Sequence, residues 1–144
     1  MGATAEVHFD DGEWPLVIAR VIGPETEQSL QEFFSALEGL LGRGERFYLL
    51  FDTRGAGPPR PSGLMSRVRF IERNQPSLRV NVGAAAVVVE SAAFHFLISG
   101  ILSVKKPPFP LRVHTNLADA RAELRLAIHV DSRASLAPPV EPAP

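Results

Sequence analysis

The stretch Phe47-Tyr48-Leu49-Leu50-Phe51-Asp52 decides how the rest of the chain is read. Five apolar residues run without a polar break and end on an acid. A strand with one wet face alternates, whereas an unbroken run reads as a strand covered on both faces of a parallel sheet. Ligands of open α/β sheets bind beyond the carboxyl ends of the strands, so Asp52 and its sequel form the expected working edge. The sequel holds Gly55, Gly57, Pro58, Pro59 and Pro61, too many breakers for helix or strand. Ser62-Gly63-Leu64 follows, with Ser62 as the expected N-cap of a helix.

Toward the N-terminus, residues 6–10 alternate polar and apolar as a half-buried strand does. Asp11-Gly12 is a hairpin-turn dipeptide, residues 16–22 are β-rich, and Gly23-Pro24 stops them, so the pair reads as an antiparallel hairpin. Leu30, Phe33, Phe34, Leu37, Leu40 and Leu41 recur at steps of three and four, one face of an amphipathic helix. Gly42 and Gly44 end it. The plain reading of Phe33 and Phe34 is core packing.

Toward the C-terminus, Leu64, Val68 and Ile71 predict a short second helix that stops near residues 74–76, since a proline disfavours helix at the residue before it. Val80, Val82 and residues 84–89 read as the next strand. Ser91 is a cap for a third helix carrying Phe94, Leu97, Ile98, Ile101 and Leu102, with Lys105 and Lys106 near its end and Pro107-Pro108 preventing continuation. Residues 110–114 form a short strand, and Thr115 or Asn116 caps a fourth helix over 117–128. The order is β-β-α-β-α-β-α-β-α: an α/β fold with a mixed sheet of about five strands and four helices, parallel except for the first strand. A single domain is expected over 1–131. Pro138, Pro139, Pro142 and Pro144 leave an expected disordered tail over 132–144.

Composition narrows the function classes. The 144 residues include no cysteine, which excludes disulfides and thiolate metal sites, and the formal net charge of −1 gives no global pull toward nucleic acid. No apolar segment approaches the roughly 20 residues of a membrane span. The first residues lack a basic and apolar leader, so a cytoplasmic protein is expected.

Charge is unevenly spread. Residues 54–79 hold six arginines, Arg54, Arg60, Arg67, Arg69, Arg73 and Arg79, against one acid, Glu72. Arg69 and Arg73 are one helical turn apart and share a face. Such a patch suits an anionic partner surface or ligand; the plainer reading is a solvated helix face. Only Phe70 lies among these arginines, so a stacking platform for single-stranded nucleic acid is not expected. His8, His95, His114 and His129 have no metal-ligand spacing. No Gly-x-Ser-x-Gly elbow is present, and Pro58-Pro59 remove two backbone donors that a phosphate loop needs. No enzyme, metal or cofactor is expected.

The element order, with its opening hairpin, resembles the STAS family, the fold of bacterial anti-sigma-factor antagonists, and the STAS-like families that share the fold. The resemblance covers residues 5–128. In the antagonists a strand ending in an acid or amide is followed by Asp-Ser-Ser-Gly-Leu, whose second serine is phosphorylated by a partner kinase. Here Asp52 ends the strand and Ser62-Gly63-Leu64 matches the end of that motif, while Arg60 and Pro61 replace its acid and first serine. Residues 116–124 are similar to the family's closing helix. The resemblance implies a regulatory or scaffolding module that binds another protein, with Ser62 as the phosphorylation candidate.

The expected partner surface is Asp52, Arg54, Arg60, Arg69 and Arg73. Two alternatives stand beside it: a small anionic or lipid-like ligand held between the sheet edge and the second and third helices, and a phospho-switched anti-sigma-factor antagonist. Homo-oligomerisation is compatible with each.

Overall fold

The computed structural model describes residues 6–57, 60–104 and 106–136. Residues 1–5, Pro58, Pro59, Lys105 and the tail from residue 137 lie outside the described residues, as do the side chains of Leu97, Ile101, Val104, Ser135 and Leu136. The elements are β1 (Glu6–Glu13), β2 (Leu16–Gly23), α1 (Glu27–Leu41), β3 (Phe47–Ala56), α2 (Pro61–Arg73), α3 (Gln75–Asn81), β4 (Val82–Val88), α4 (Ala92–Val104), β5 (Leu111–His114) and α5 (Leu117–Leu136). The strands lie side by side in chain order. β1 is antiparallel to β2, and every other neighbouring pair is parallel.

β3 is the central strand, as its apolar run implies. Phe47, Tyr48, Leu49 and Leu50 are all buried. Alternation sends Phe47, Leu49 and Phe51 to one face of the sheet, where Leu30, Phe34, Leu37 and Leu41 of α1 meet Phe70 of α2 and Leu78 of α3. Phe34 stacks on Phe70 with ring centroids 4.6 Å apart, and Phe33 packs beside Phe9 and Phe51. Tyr48 and Leu50 face the other way, with Leu16, Ala86 and Val88, against Ala120 and Leu124 of α5.

The structure corrects several boundaries. There are five helices among the described residues, not four, because residues 75–81 fold as α3 and Val80 stands exposed on it. Proline is tolerated in the first turn of a helix, where its missing N–H would be unpaired anyway. Asn74 therefore closes α2, its N–H donating to the Phe70 carbonyl, and opens α3, its carbonyl accepting from the Leu78 N–H. Buried Leu78 secures the new helix.

At the hairpin, Asp11-Gly12 forms an irregularity in the β1–β2 register, and the chain turns at Trp14-Pro15. Trp14 gains more there: it stacks on Phe47 at 5.8 Å and lies under the Arg43 guanidinium at 4.5 Å. β3 continues past Asp52 because β2 still offers partners, pairing Ile22 with Gly55 and Gly23 with Ala56. α5 runs to Leu136, past residue 128 where the fourth helix was expected to end and into the 132–144 expected as a disordered tail. Its later turns are tied back, since Asp131 accepts from the Arg46 Nε at 3.2 Å and from the Tyr48 hydroxyl.

Candidate functional site

The last buried residue of β3 is Asp52, only 3 % exposed. By alternation it shares the α5 face with Tyr48 and Leu50. Its carboxylate accepts from Arg54 Nε at 2.8 Å, Arg54 Nη2 at 2.9 Å and the Arg54 backbone N–H at 3.2 Å. Arg20, its neighbour across the β2–β3 ladder, adds a guanidinium nitrogen at 3.7 Å. The hydrogen bond from Arg54 holds the Asp52 carboxyl below its ordinary pKa, and outweighs the desolvation that pushes it up. This acid is an internal anchor, with Arg54 and Arg20 folded over it.

α2 begins differently from the sequence reading. Its N-cap is Arg60, Pro61 and Ser62 take the first helical positions, and no side chain caps the first turn, so Ser62 is not the N-cap. Proline with its preset φ suits the first helical position, and Ser62 is pushed one position further in. Ser62 is exposed there, and its carbonyl accepts from the Ser66 hydroxyl at 3.1 Å.

The start of α2 is instead met by Glu25. The N-terminus of α1 has a reciprocal cap, in which Thr26 Oγ1 accepts from the Ser29 N–H and Ser29 Oγ accepts from the Thr26 N–H, each at 3.0 Å. This fixes the chain between β2 and α1 and aims Glu25 at α2. Its carboxylate accepts from the Arg60 N–H at 3.1 Å and from Arg67. Gly63 makes room for it, since a Cβ there would stand 2.0 Å from Glu25 Oε2. An internal carboxylate thus sits at the positive end of the α2 dipole. Glu25 was not singled out from the sequence. An acid just before Thr26 carries no signal of where it will point.

The outward face of α2 carries Ser62, Met65, Arg69, Glu72 and Arg73, with Met65 three residues after Ser62, Arg69 four after Met65, and Glu72 and Arg73 three and four after Arg69. Met65 is 53 % exposed. Arg73 reaches Glu38 of α1 at 3.3 Å. Arg60 and Arg69 are exposed, and neither guanidinium has an ion-pair partner among the described residues. The five expected partner residues therefore divide. Arg60, Arg69 and Arg73 belong to α2 and its start, while Asp52 and Arg54 form a separate cluster on the α5 face of the sheet.

Beneath α2 and α4, on the α1 side of the sheet, lies a cavity of about 320 Å³. Its wall includes Phe33, Phe51, Leu64, Val68, Ile98 and Leu102. Leu64 and Val68, the apolar positions that predicted this helix, are half-buried and line this space. α4 carries no charged residue, yet none of its described side chains is buried. Phe94, Ile98 and Leu102 turn one face to the cavity, and Phe96 points outward, 83 % exposed. Among the described residues no cluster of three or more acids and histidines could hold a metal ion. No helix of the described residues is long and apolar enough to cross a membrane.

The chain has a STAS-like fold. It is similar to a crystal structure of an uncharacterised protein of the DUF3478 family with a SpoIIAA-like fold from Shewanella loihica PV-4, with a TM-score of 0.65 and 10 % identity over 86 % of this chain and 98 % of that one. It is also similar to an anti-sigma factor antagonist from Mycobacterium paratuberculosis, with a TM-score of 0.57 and 14 % identity over 87 % of this chain and 99 % of that one. No protein-family model and no curated protein matches the sequence.

Proposed function

We propose that the chain is a non-enzymatic binding module that meets another protein through the outward face of α2, in a regulatory or scaffolding role. The observation that carries this is the pairing of exposed Met65 with exposed, unpaired Arg69 one turn away, among the described residues. Methionine and arginine are enriched at protein interfaces, and an arginine with no internal partner gives up no ion pair to form one with an acidic surface. Arg60 and Arg73 extend the same basic strip. Asp52 and Arg54 act from inside, by holding the end of β3 in place. The similarity to an anti-sigma factor antagonist agrees with a protein partner.

A photo-crosslinking residue in place of Met65 tests this in cells. The expected result is one protein adduct, lost when Arg60→Glu and Arg69→Glu are combined. An adduct that survives the charge reversal places the interface elsewhere.

A second reading rests on the cavity. Protein interiors rarely leave voids larger than a water molecule. This space of about 320 Å³ is partly open and its wall is mostly apolar, so an occupant that covers the wall removes apolar surface from water. In this reading a small ligand fills the space between the sheet, α2 and α4, which is the size of a small-molecule site.

A further inference from the structure

We propose that the ligand of this cavity is an uncharged apolar molecule, and that anionic amphiphiles are excluded from it. This rests on the reading of the cavity as a ligand site and deepens it by naming the chemistry admitted. The buried polar groups on the wall offer no free donor to the space. The Thr53 hydroxyl donates to the Val88 carbonyl at 2.8 Å. Ser29 is used in the α1 cap. Arg67 is held by Glu25, and its remaining Nη1 is closed off from any water-sized contact, without a hydrogen-bond partner.

The charges on the wall are Glu25, Arg67 and Glu90, two acids against one base. A carboxylate entering the cavity would lose its hydration; the Arg67 charge is already balanced by Glu25, its unbonded Nη1 is closed off from the space, and the one charge left over, exposed Glu90, is negative. An uncharged apolar body loses little on entering. It gains the aromatic and aliphatic wall, which holds such molecules without any hydrogen bond. The same logic explains α4. Its uncharged inner face of Phe94, Ile98 and Leu102 lines the cavity and is only half-buried, and an apolar guest supplies the missing contacts.

Binding of the neutral fluorophore N-phenyl-1-naphthylamine to the full chain, followed by displacement with decanol and with decanoate at pH 8, tests the proposal. Decanol is expected to displace the probe at about tenfold lower concentration than decanoate, the gap reflecting an unpaired, desolvated charge. Glu90→Gln is expected to narrow that gap without changing the decanol value. Ile98→Trp and Leu64→Phe, which fill the space from opposite walls, are each expected to weaken probe binding without lowering the thermal midpoint. Decanoate displacing as well as decanol overturns the exclusion of anions and leaves the cavity reading standing. A probe that does not bind, or binds equally to both filled variants when they are folded, overturns the cavity reading as well.

Discussion

Replacing Arg54 by alanine strips the Asp52 carboxylate of its two shortest hydrogen bonds, at 2.8 and 2.9 Å. The carboxylate itself cannot follow into water, because its side chain is only 5 % exposed. It would keep the Arg54 backbone N–H and the more distant Arg20. Breaking a fully buried ion pair costs about 3–5 kcal/mol, because the remaining charge stays desolvated. Here the Arg54 side chain is 44 % exposed, so water replaces part of what is lost, and about 2 kcal/mol is expected. Asp52→Asn removes the charge that needed compensation and returns two arginines to solvent, for about 1 kcal/mol. In an Asp52→Asn background, Arg54→Ala should then cost little more, which gives a coupling of about 1–2 kcal/mol.

Urea unfolding at constant m-value measures all three variants. The pH dependence follows from the direction of the shift. Arg54 lowers the folded-state pKa of Asp52 below its ordinary carboxylate value. The pair's contribution is therefore present above that value and is lost as pH falls through the folded pKa. The difference between wild type and Asp52→Asn should be flat from about pH 5 to pH 8 and fade below about pH 4. An Arg54→Ala variant as stable as Asp52→Asn, or strict additivity in the double variant, would refute the anchoring role. It would also return Asp52 and Arg54 to the list of surface candidates.

Gly83→Ala places a Cβ 2.4 Å from the Tyr48 ring, and Tyr48 is buried and tied to Asp131; a loss of about 1–3 kcal/mol is expected, read by thermal unfolding. Glu25→Ala removes the carboxylate from the start of α2, so amide hydrogen exchange in that helix's first turn should speed up. The stability cost should be about 1 kcal/mol, since Arg67 is partly exposed. Phe96→Ser should leave stability within about 0.5 kcal/mol, because the ring is 83 % exposed; a larger loss in urea unfolding would mean that α4 packs more tightly than described.

Much of the fold was legible because burial leaves a periodic trace. The unbroken run at Phe47 to Phe51 marked the central strand, the three-four spacing from Leu30 to Leu41 marked the inward face of α1, and alternation of strands with helices set the parallel order. The misreadings have one cause in common, that a local signal has more than one tertiary use. Pro76 reads as a stop, yet it opens α3. Asp11-Gly12 reads as a turn, yet stacking of Trp14 on Phe47 moves the turn to Trp14-Pro15. Ser62 reads as a cap, yet Pro61 takes the first position and Arg60 the cap.

The site was legible only in part for the same reason. The sequence by itself placed the arginines on α2 and Asp52 at the end of β3, because helical and strand periods depend on neighbours along the chain. Only the tertiary structure decided that Asp52 and Arg54 face away from that helix, that Glu25 reaches its first turn from residues far earlier, and that α4 stands over open space. These are relations between elements brought together by long-range packing. No local pattern encodes which side of a sheet a distant helix will cover, or how closely it will settle.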